Sequence, residues 1–189
     1  MRARCGEQEG QKLAELMEEE YRVLYAAYEN RPEALQNHLH NNIFPVVTAF
    51  HSLIALGRTR EEAARETEEA FLALMDDIAQ TIRKAMRFPG LHRIMPRLFR
   101  VLMPKLFRED AGFRFRMYDK GPHHARFDML ECPYFQICKE LDCEDIAPIF
   151  CATDDTCYGN MHPDLIWNRT KTMARGGDLC DFDLYLREK

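Results

Sequence analysis

The chain has 189 residues and a formal net charge of −5, with 46% hydrophobic and 30% charged residues. This composition is ordinary for a soluble globular protein, and a chain of this length can build a core without disulfide staples. The negative charge disfavours a general nucleic-acid-binding protein, and no window holds the ~18 apolar residues that a membrane span needs. We expect one domain over residues 1–189, with a helical half at 1–110 and an α+β half at 111–189.

Cysteine usage and the N-terminus predict a reducing compartment. The chain holds seven cysteines, an odd number at irregular spacing. Residues 1–9 contain no apolar segment of the kind that a secretory leader needs. Reduced thiols are the default in a cytoplasm, so we predict a cytoplasmic protein.

Helical spacing of apolar residues dominates the first half. It predicts an amphipathic helix over 7–29, a second apolar stripe over 43–54 and a long third helix from Thr59 to Met86. Thr59 and Glu62 have the spacing of a capping box, which satisfies free amides at a helix N-terminus.

The polar residues 33–42 between the first two stripes are interpreted as a solvated helix end. This stretch contains His38 and His40. Because residues two apart do not share a helical face, this spacing argues against a metal site there.

The segment Leu91–Phe107 is basic and amphipathic. Between Arg83 and Arg108 there are eight Lys or Arg residues and no acidic residue. Such a segment can lie on a membrane surface or attract an anionic ligand. Pro96 and Pro104 each remove a backbone donor and would break a long interfacial helix. We therefore favour a helix packed against the acidic helices before it.

From Gly112 onward the apolar period changes from 3.6 to 2. Alternation over 113–130, interrupted by a turn at 119–122, predicts a β-hairpin that ends at Cys132. Pro133 then begins a short helix, and Ile149-Phe-Cys151 predicts a buried third element. Strands at 165–174 and 179–186 complete the pattern, which indicates an α+β fold with about four antiparallel strands.

The last two strands predict a hairpin whose turn is centred on Gly176-Gly177, since paired glycines tolerate a positive φ. In that register Met173 faces Cys180, which shares a core-like face with Phe182 and Leu184. A buried free cysteine often behaves as a small hydrophobe, so a functional Cys180 requires this face to line an apolar pocket. The opposite face would carry a polar strip of Asn168, Thr170, Thr172, Asp181, Asp183 and Tyr185.

Three thiols are the main candidates for chemistry, because Cys132, Cys151 and Cys180 each lie in or at the end of a predicted β element. They could bind zinc, although paired C-x-x-C motifs are missing. Alternatively, one thiolate is a nucleophile, with Asp154 or Asp181 as general acid or base. A polar turn or helix cap is the structural alternative for Asp154.

Four motifs in this order resemble the L-2-amino-thiazoline-4-carboxylic acid hydrolase family. They are Glu131-Cys-Pro-Tyr134, Cys151-x-x-Asp154, Asn168-Arg-Thr-x-Thr172 and Gly176-Gly-x-x-Cys-Asp-Phe182. The resemblance implies hydrolytic opening of a thiazoline ring to a carbamoyl-cysteine. It also implies two sets of site residues: catalytic Cys132, Cys151, Asp154, Cys180 and Asp181, and substrate-binding Asn168, Arg169, Thr170 and Thr172, without a firmly implied cofactor or metal.

A second resemblance keeps a non-catalytic function open. The closing Gly176–Phe182 sequence is similar to the end of the V4R domain, a small-molecule sensor in which cysteines can hold zinc. On either interpretation the expected partner is a small molecule, not a nucleic acid. A homo-oligomer is compatible with both.

Overall fold

A computed structural model describes residues 6–187, which form an α+β fold as predicted. Helices occupy the first half, and a four-stranded antiparallel sheet follows in the second. The helices are α1 (Glu7–Tyr28), α2 (Glu33–His38), a π-helix (Leu39–Ile43), α3 (Phe44–Ala55), α4 (Arg60–Met86), α5 (Leu91–Leu106), α6 (Pro133–Glu140) and α7 (Ala147–Tyr158). The strands are β1 (Arg114–Asp119), β2 (His124–Glu131), β3 (Leu165–Asn168) and β4 (Cys180–Leu186).

Helix α3 is the centre of the helical half. Phe44, Val47, Phe50 and Leu53 are completely buried along it, and the helix packs between α1 and α4. A helix that is apolar on nearly every side is stable only when other elements surround it. The amphipathic helices predicted on either side of this stripe provide that cover.

The sheet has the strand order β1-β2-β4-β3, and every neighbouring pair is antiparallel. On the buried face, Met129 of β2 pairs with Cys180 of β4, and Phe127 pairs with Phe182. The Phe127 and Phe182 rings stack at a centroid distance of 4.7 Å. Cys180 therefore lies on the core face, as the alternation predicted.

The predicted final hairpin is wrong between residues 169 and 179. Strand β3 ends at Asn168, which pairs with Asp183, and the chain then forms a loop with a 3-10 turn at Met173–Arg175. The carboxylate of Asp181 accepts hydrogen bonds from the backbone amides of Thr170 and Lys171, at 2.9 and 2.8 Å. These contacts place the carboxylate against amides that the predicted strand would have used for pairing. Thr172 is buried in this loop and does not lie on the polar face of a strand.

Two further predictions about local structure are wrong. Cys151 lies on helix α7 and not in a β element, so the short apolar run that predicted a buried element belongs to a helix. Helix α5 continues through Pro96 and Pro104. Each proline removes one donor, but packing of the buried face at Met95, Phe99 and Met103 keeps the helix in place.

Residues 33–42 are not a solvated helix end. They form α2 and most of the π-helix, and both histidines bond to tyrosines: His38 to Tyr134 and His40 to Tyr21, each at 2.9 Å. Among residues 6–187, no helix is both long and apolar enough to cross a membrane.

The capping box of α4 is confirmed and gives a test of its stability. The Thr59 hydroxyl accepts from the amide of Glu62 at 3.2 Å, and the Glu62 carboxylate accepts from the amide of Thr59 at 2.9 Å. We expect Thr59→Ala to lower the free energy of unfolding by ~1 kcal/mol, whereas Thr59→Ser keeps most of it. Urea denaturation measures both; equal stability of the two variants would contradict the capping role.

Candidate functional site

A cavity of ≈ 130 Å³ lies between the helices and the buried face of the sheet. Its wall is mainly aromatic and methionine side chains from α4, α6, α7 and the strands. Three thiols and one carboxyl group interrupt this apolar surface. They are Cys132, Cys151, Cys180 and Asp154.

Cys132 enters the cavity from the junction between β2 and α6. It follows the last residue of β2 and occupies the N-cap position of α6, where Pro133 begins the helix. Burial raises the pKa of the Cys132 thiol to about 12, although the backbone amides of Phe135 and Tyr134 oppose the shift. This thiol is therefore protonated and unreactive as a nucleophile near neutral pH.

Cys151 and Asp154 enter the cavity together from α7. They are three residues apart on the helix, so they lie on one face about one turn apart. Asp155, the next residue, turns away and accepts a hydrogen bond from the Trp167 indole at 3.0 Å. The helix, and not a strand or turn, brings the thiol and the carboxyl group to the same wall.

Of the three thiols in the cavity wall, Cys180 is the one best placed to lose its proton. Its sulfur accepts a hydrogen bond from the backbone amide of Met173 at 3.3 Å. A hydrogen bond from the Cys151 thiol lowers the pKa of Cys180, against the opposing effect of burial, and the same contact raises the pKa of Cys151. The pair therefore ionises first at Cys180, with Cys151 as the donor that stabilises the thiolate.

Arg169 lies behind the cavity and holds α7 to the loop after β3. Its guanidinium donates to the carboxylates of Asp154 at 3.1 Å and Asp155 at 2.6 Å, and to the carbonyl of Cys151 at 2.7 Å. It also stacks over the Phe182 ring, 5.2 Å from the centroid. Only 4% of the side chain is exposed, and it does not line the cavity.

Asp154 is the one carboxyl group in the cavity wall, and its surroundings shift its proton affinity strongly. Burial raises the pKa of Asp154 to about 7, and Arg169 opposes that shift only in part. A carboxyl group with this pKa can both give and take a proton near neutral pH.

The remaining predicted site residues lie outside the cavity wall. Asp181 is on the opposite face of β4, where it binds Thr170 through both backbone and hydroxyl, the latter at 2.6 Å. Asn168 ends β3, and Thr172 is buried with no hydrogen-bond partner for its hydroxyl among the described residues. These residues shape the loop that carries Arg169 and Met173.

Sequence reasoning missed Asn42 as a residue of the site. It lies in the π-helix, is half-buried and lines the cavity. No other residue between 6 and 187 forms a hydrogen bond with its side-chain amide. Short π-helices are frequent at functional sites, but nothing in the sequence marks this one.

One cluster of potential metal ligands occurs among the described residues, and it contains no cysteine. Across residues 6–187, one group of three ligand side chains has donor atoms within 4.8 Å of one another, and it consists of His92, His162 and Asp164. None of these three residues lines the cavity. The zinc alternative for the three thiols remains a prediction.

The raised pKa of Asp154 predicts how the free energy of unfolding depends on pH. Between its ordinary pKa of 3.8 and about 7, the unfolded chain releases this proton whereas the folded chain keeps it. The contribution of Asp154 to the free energy of unfolding is therefore present at acidic pH and falls as pH rises toward 7. Relative to wild type, Asp154→Asn should gain stability over this range, by at most about 1.4 kcal/mol per pH unit.

Urea denaturation at several pH values measures this difference. Asp178→Asn is a control of opposite sign, because the hydrogen bond from Lys171 lowers the pKa of Asp178. Wild type should gain stability over that control as pH rises through the acidic range. A difference between wild type and Asp154→Asn that does not change with pH would contradict the assignment.

Comparison with curated proteins gives no significant match. Among solved structures, the chain is similar to trafficking protein particle complex subunit 3 from Naegleria fowleri, crystallised covalently bound to palmitic acid, with 10% identity and a TM-score of 0.36. That alignment covers 76% of this chain and 94% of the other, and similarity at this level supports no conclusion. The family model described as L-2-amino-thiazoline-4-carboxylic acid hydrolase matches residues 36–184, which is most of the sequence. The chain belongs to this family.

Proposed function

We propose that the protein is a hydrolase that opens a cyclic amidine ring of the 2-amino-thiazoline type in the cavity between its helices and sheet. One observation carries the proposal: Cys180 and Asp154 line the same small apolar cavity. The thiolate form of Cys180 is stabilised, and the pKa of the Asp154 carboxyl group is raised. Membership of the hydrolase family supports the same reaction class.

Cys180 is the proposed nucleophile. The thiolate is the nucleophilic form of cysteine, and hydrogen bonds that stabilise it raise the fraction of the thiol that is ionised near neutral pH. Cys180 has two such bonds, from the Met173 amide and the Cys151 thiol. Cys132, whose pKa is raised by burial, is better suited to line the cavity than to react.

The proposed first step forms a bond between the Cys180 sulfur and C2 of the ring. The bond between C2 and the ring sulfur breaks, and Asp154 gives its proton to the departing sulfur. The substrate is then attached to Cys180 through an isothiourea carbon. Asp154 can serve here because a carboxyl group with a pKa of about 7 is largely protonated just below neutral pH.

The proposed second step is hydrolysis of that covalent intermediate. The Asp154 carboxylate takes a proton from water, whose oxygen bonds to the isothiourea carbon. The bond to Cys180 breaks and releases the thiolate, while the second water proton moves to a nitrogen of the former amidine. The carbon thereby becomes the carbonyl group of a carbamoyl product that retains the freed substrate thiol. The proton taken from water restores Asp154 to its starting state, so the cycle consumes one water molecule.

The cavity wall favours recognition of the amidine over recognition of a carboxylate. Its lining residues include no Lys, Arg or His, and the Arg169 guanidinium is engaged by Asp154, Asp155 and a backbone carbonyl. The protonated Asp154 carboxyl group can hydrogen-bond the neutral amidine, and the side-chain amide of Asn42 can bond to a polar substituent. We infer that the ring and its amidine contribute most of the substrate's binding.

Activity toward 2-amino-thiazoline-4-carboxylate tests the proposal. We expect Cys180→Ser and Asp154→Asn to lower kcat by about 100-fold or more, because each removes a group that acts in bond breaking. Release of the substrate thiol gives the rate. Intact-protein mass spectrometry of the wild type, quenched with acid during turnover, should show the adduct, and Cys180→Ser should show none.

Cys157→Ser is the matched control. Cys157 is buried on the same helix as Cys151 but does not line the cavity, so its replacement should leave kcat within about twofold. The uncarboxylated 2-amino-thiazoline should be turned over with kcat/KM within about tenfold of the carboxylate. Full activity of a folded Cys180→Ser variant would refute the nucleophile.

A second candidate function is non-catalytic binding of a small apolar molecule, as in a sensor module. The observation that favours it is the apolar wall, which includes Phe71, Phe113, Phe150 and Phe182. On this alternative a ring analogue raises the thermal stability of the protein and is recovered unchanged. Binding of 2-amino-thiazoline-4-carboxylate itself without any release of thiol would support the sensor and overturn the hydrolase.

A further inference from the structure

The outer side of α5 exposes an unusual concentration of apolar side chains. Ten large hydrophobic residues are exposed between residues 6 and 187, and eight of them lie between Leu74 and Leu106. Five are on α5 itself: Ile94, Leu98, Val101, Leu102 and Leu106. Isolated exposed residues need no explanation, but such a cluster marks an interaction surface.

Helix α5 is apolar on two sides, and only one of them is covered. Met95, Phe99 and Met103 are buried at intervals of four residues on the side that contacts β2 and β4. Ile94 and Val101 keep 52% and 53% of their surface exposed on the other side. The spacing of Ile94, Leu98 and Val101 places them on one helical face. Packing within the described fold therefore accounts for the first side and leaves the second unpartnered.

Positive charge flanks this outer face. No Asp or Glu occurs from residue 78 to residue 108, and eight Lys or Arg do. Arg93, Arg97 and Lys105 are exposed, and none of them forms an ion pair with another residue of the described range. The charge of Arg100, by contrast, is compensated by Asp119, and its guanidinium also bonds to the carbonyl of Gly121. The apolar stripe thus has uncompensated cations beside it.

The charges distinguish between two occupants of this face. A second copy of the chain in a two-fold dimer would bring the same patch against itself, and basic residues would then face basic residues. An anionic lipid surface instead offers negative headgroups for the cations and an acyl boundary for the apolar residues. The 16 residues of α5 extend ~24 Å, which is the length of apolar and basic surface that the helix can lay along a bilayer.

We propose that the outer face of α5 binds the surface of an anionic lipid bilayer. Ile94, Leu98 and Val101 enter the boundary between headgroups and acyl chains, and Arg93 and Arg97 contact the headgroups. The helix lies in the plane of the surface. The cavity with its thiols stays within the protein, so the proposal does not depend on the hydrolase activity.

Vesicle flotation of the full chain tests the proposal. We expect binding to phosphatidylcholine vesicles that contain one quarter phosphatidylglycerol, weak binding to pure phosphatidylcholine, and loss of binding at high salt. Ile94→Ser/Val101→Ser should lower the partition coefficient about tenfold or more, because it removes inserted apolar area. Arg93→Ser/Arg97→Ser should do the same through lost headgroup attraction.

Two control variants outside α5 remove the same kinds of side chain, apolar residues in one and cations in the other. Val23→Ser/Tyr25→Ser removes exposed apolar residues from the acidic helix α1, and Lys12→Ser/Arg65→Ser removes two exposed cations. Both should bind vesicles as wild type does, and circular dichroism should show that all variants are folded. Equal binding to neutral and anionic vesicles, or none to either, would overturn the proposal. So would a dimer in sedimentation that Ile94→Ser/Val101→Ser dissociates.

Discussion

The buried ion pairs of Arg169 determine how the two parts of the site meet. The guanidinium joins the carboxyl groups of Asp154 and Asp155 and a carbonyl of α7 to the loop that follows β3, and it does so with almost no exposure to water. A buried cation without partners would be very unfavourable, so the loop and the helix are confined to the arrangement that satisfies it. Because Asp154 and Cys151 lie on that helix, their position opposite Cys180 depends on this contact.

The same arrangement explains why neighbouring groups have opposite proton affinities. Asp154 lies near a cation but also within an apolar wall, and burial has the larger effect on its pKa. Cys180 is buried too, yet it receives hydrogen bonds from a backbone amide and a second thiol, which favour its charged form. Desolvation thus keeps the proton on the carboxyl group, while hydrogen bonding favours its release from the thiol. A site that combines an ionisable thiol with a protonated carboxyl group is suited to nucleophilic attack followed by proton transfer.

Much of the architecture could be predicted because it depends on local chemistry. The capping box at Thr59 and Glu62 is a contact between residues three apart, and the alternation along β2 and β4 follows from one buried sheet face. The predicted hairpin register was two residues away from the observed one, and an even shift leaves every side chain on its original face. Cys180 could therefore be assigned to the core face although the strand opposite it was predicted too long.

Sequence alone determined the fold class, the long capped helix, the four strands and the face of Cys180, because propensity, periodicity and capping act within a few residues. Only the tertiary structure decided that Cys151 and Asp154 lie on a helix and that Asn42 lines the cavity from a π-helix. It also decided that the Asp181 carboxylate binds the amides of Thr170 and Lys171, where strand pairing ends. These features depend on contacts between distant segments. A short apolar run fits a strand or a helix equally well until its neighbours are known. A buried charge likewise selects its partners only when the chain has folded around it.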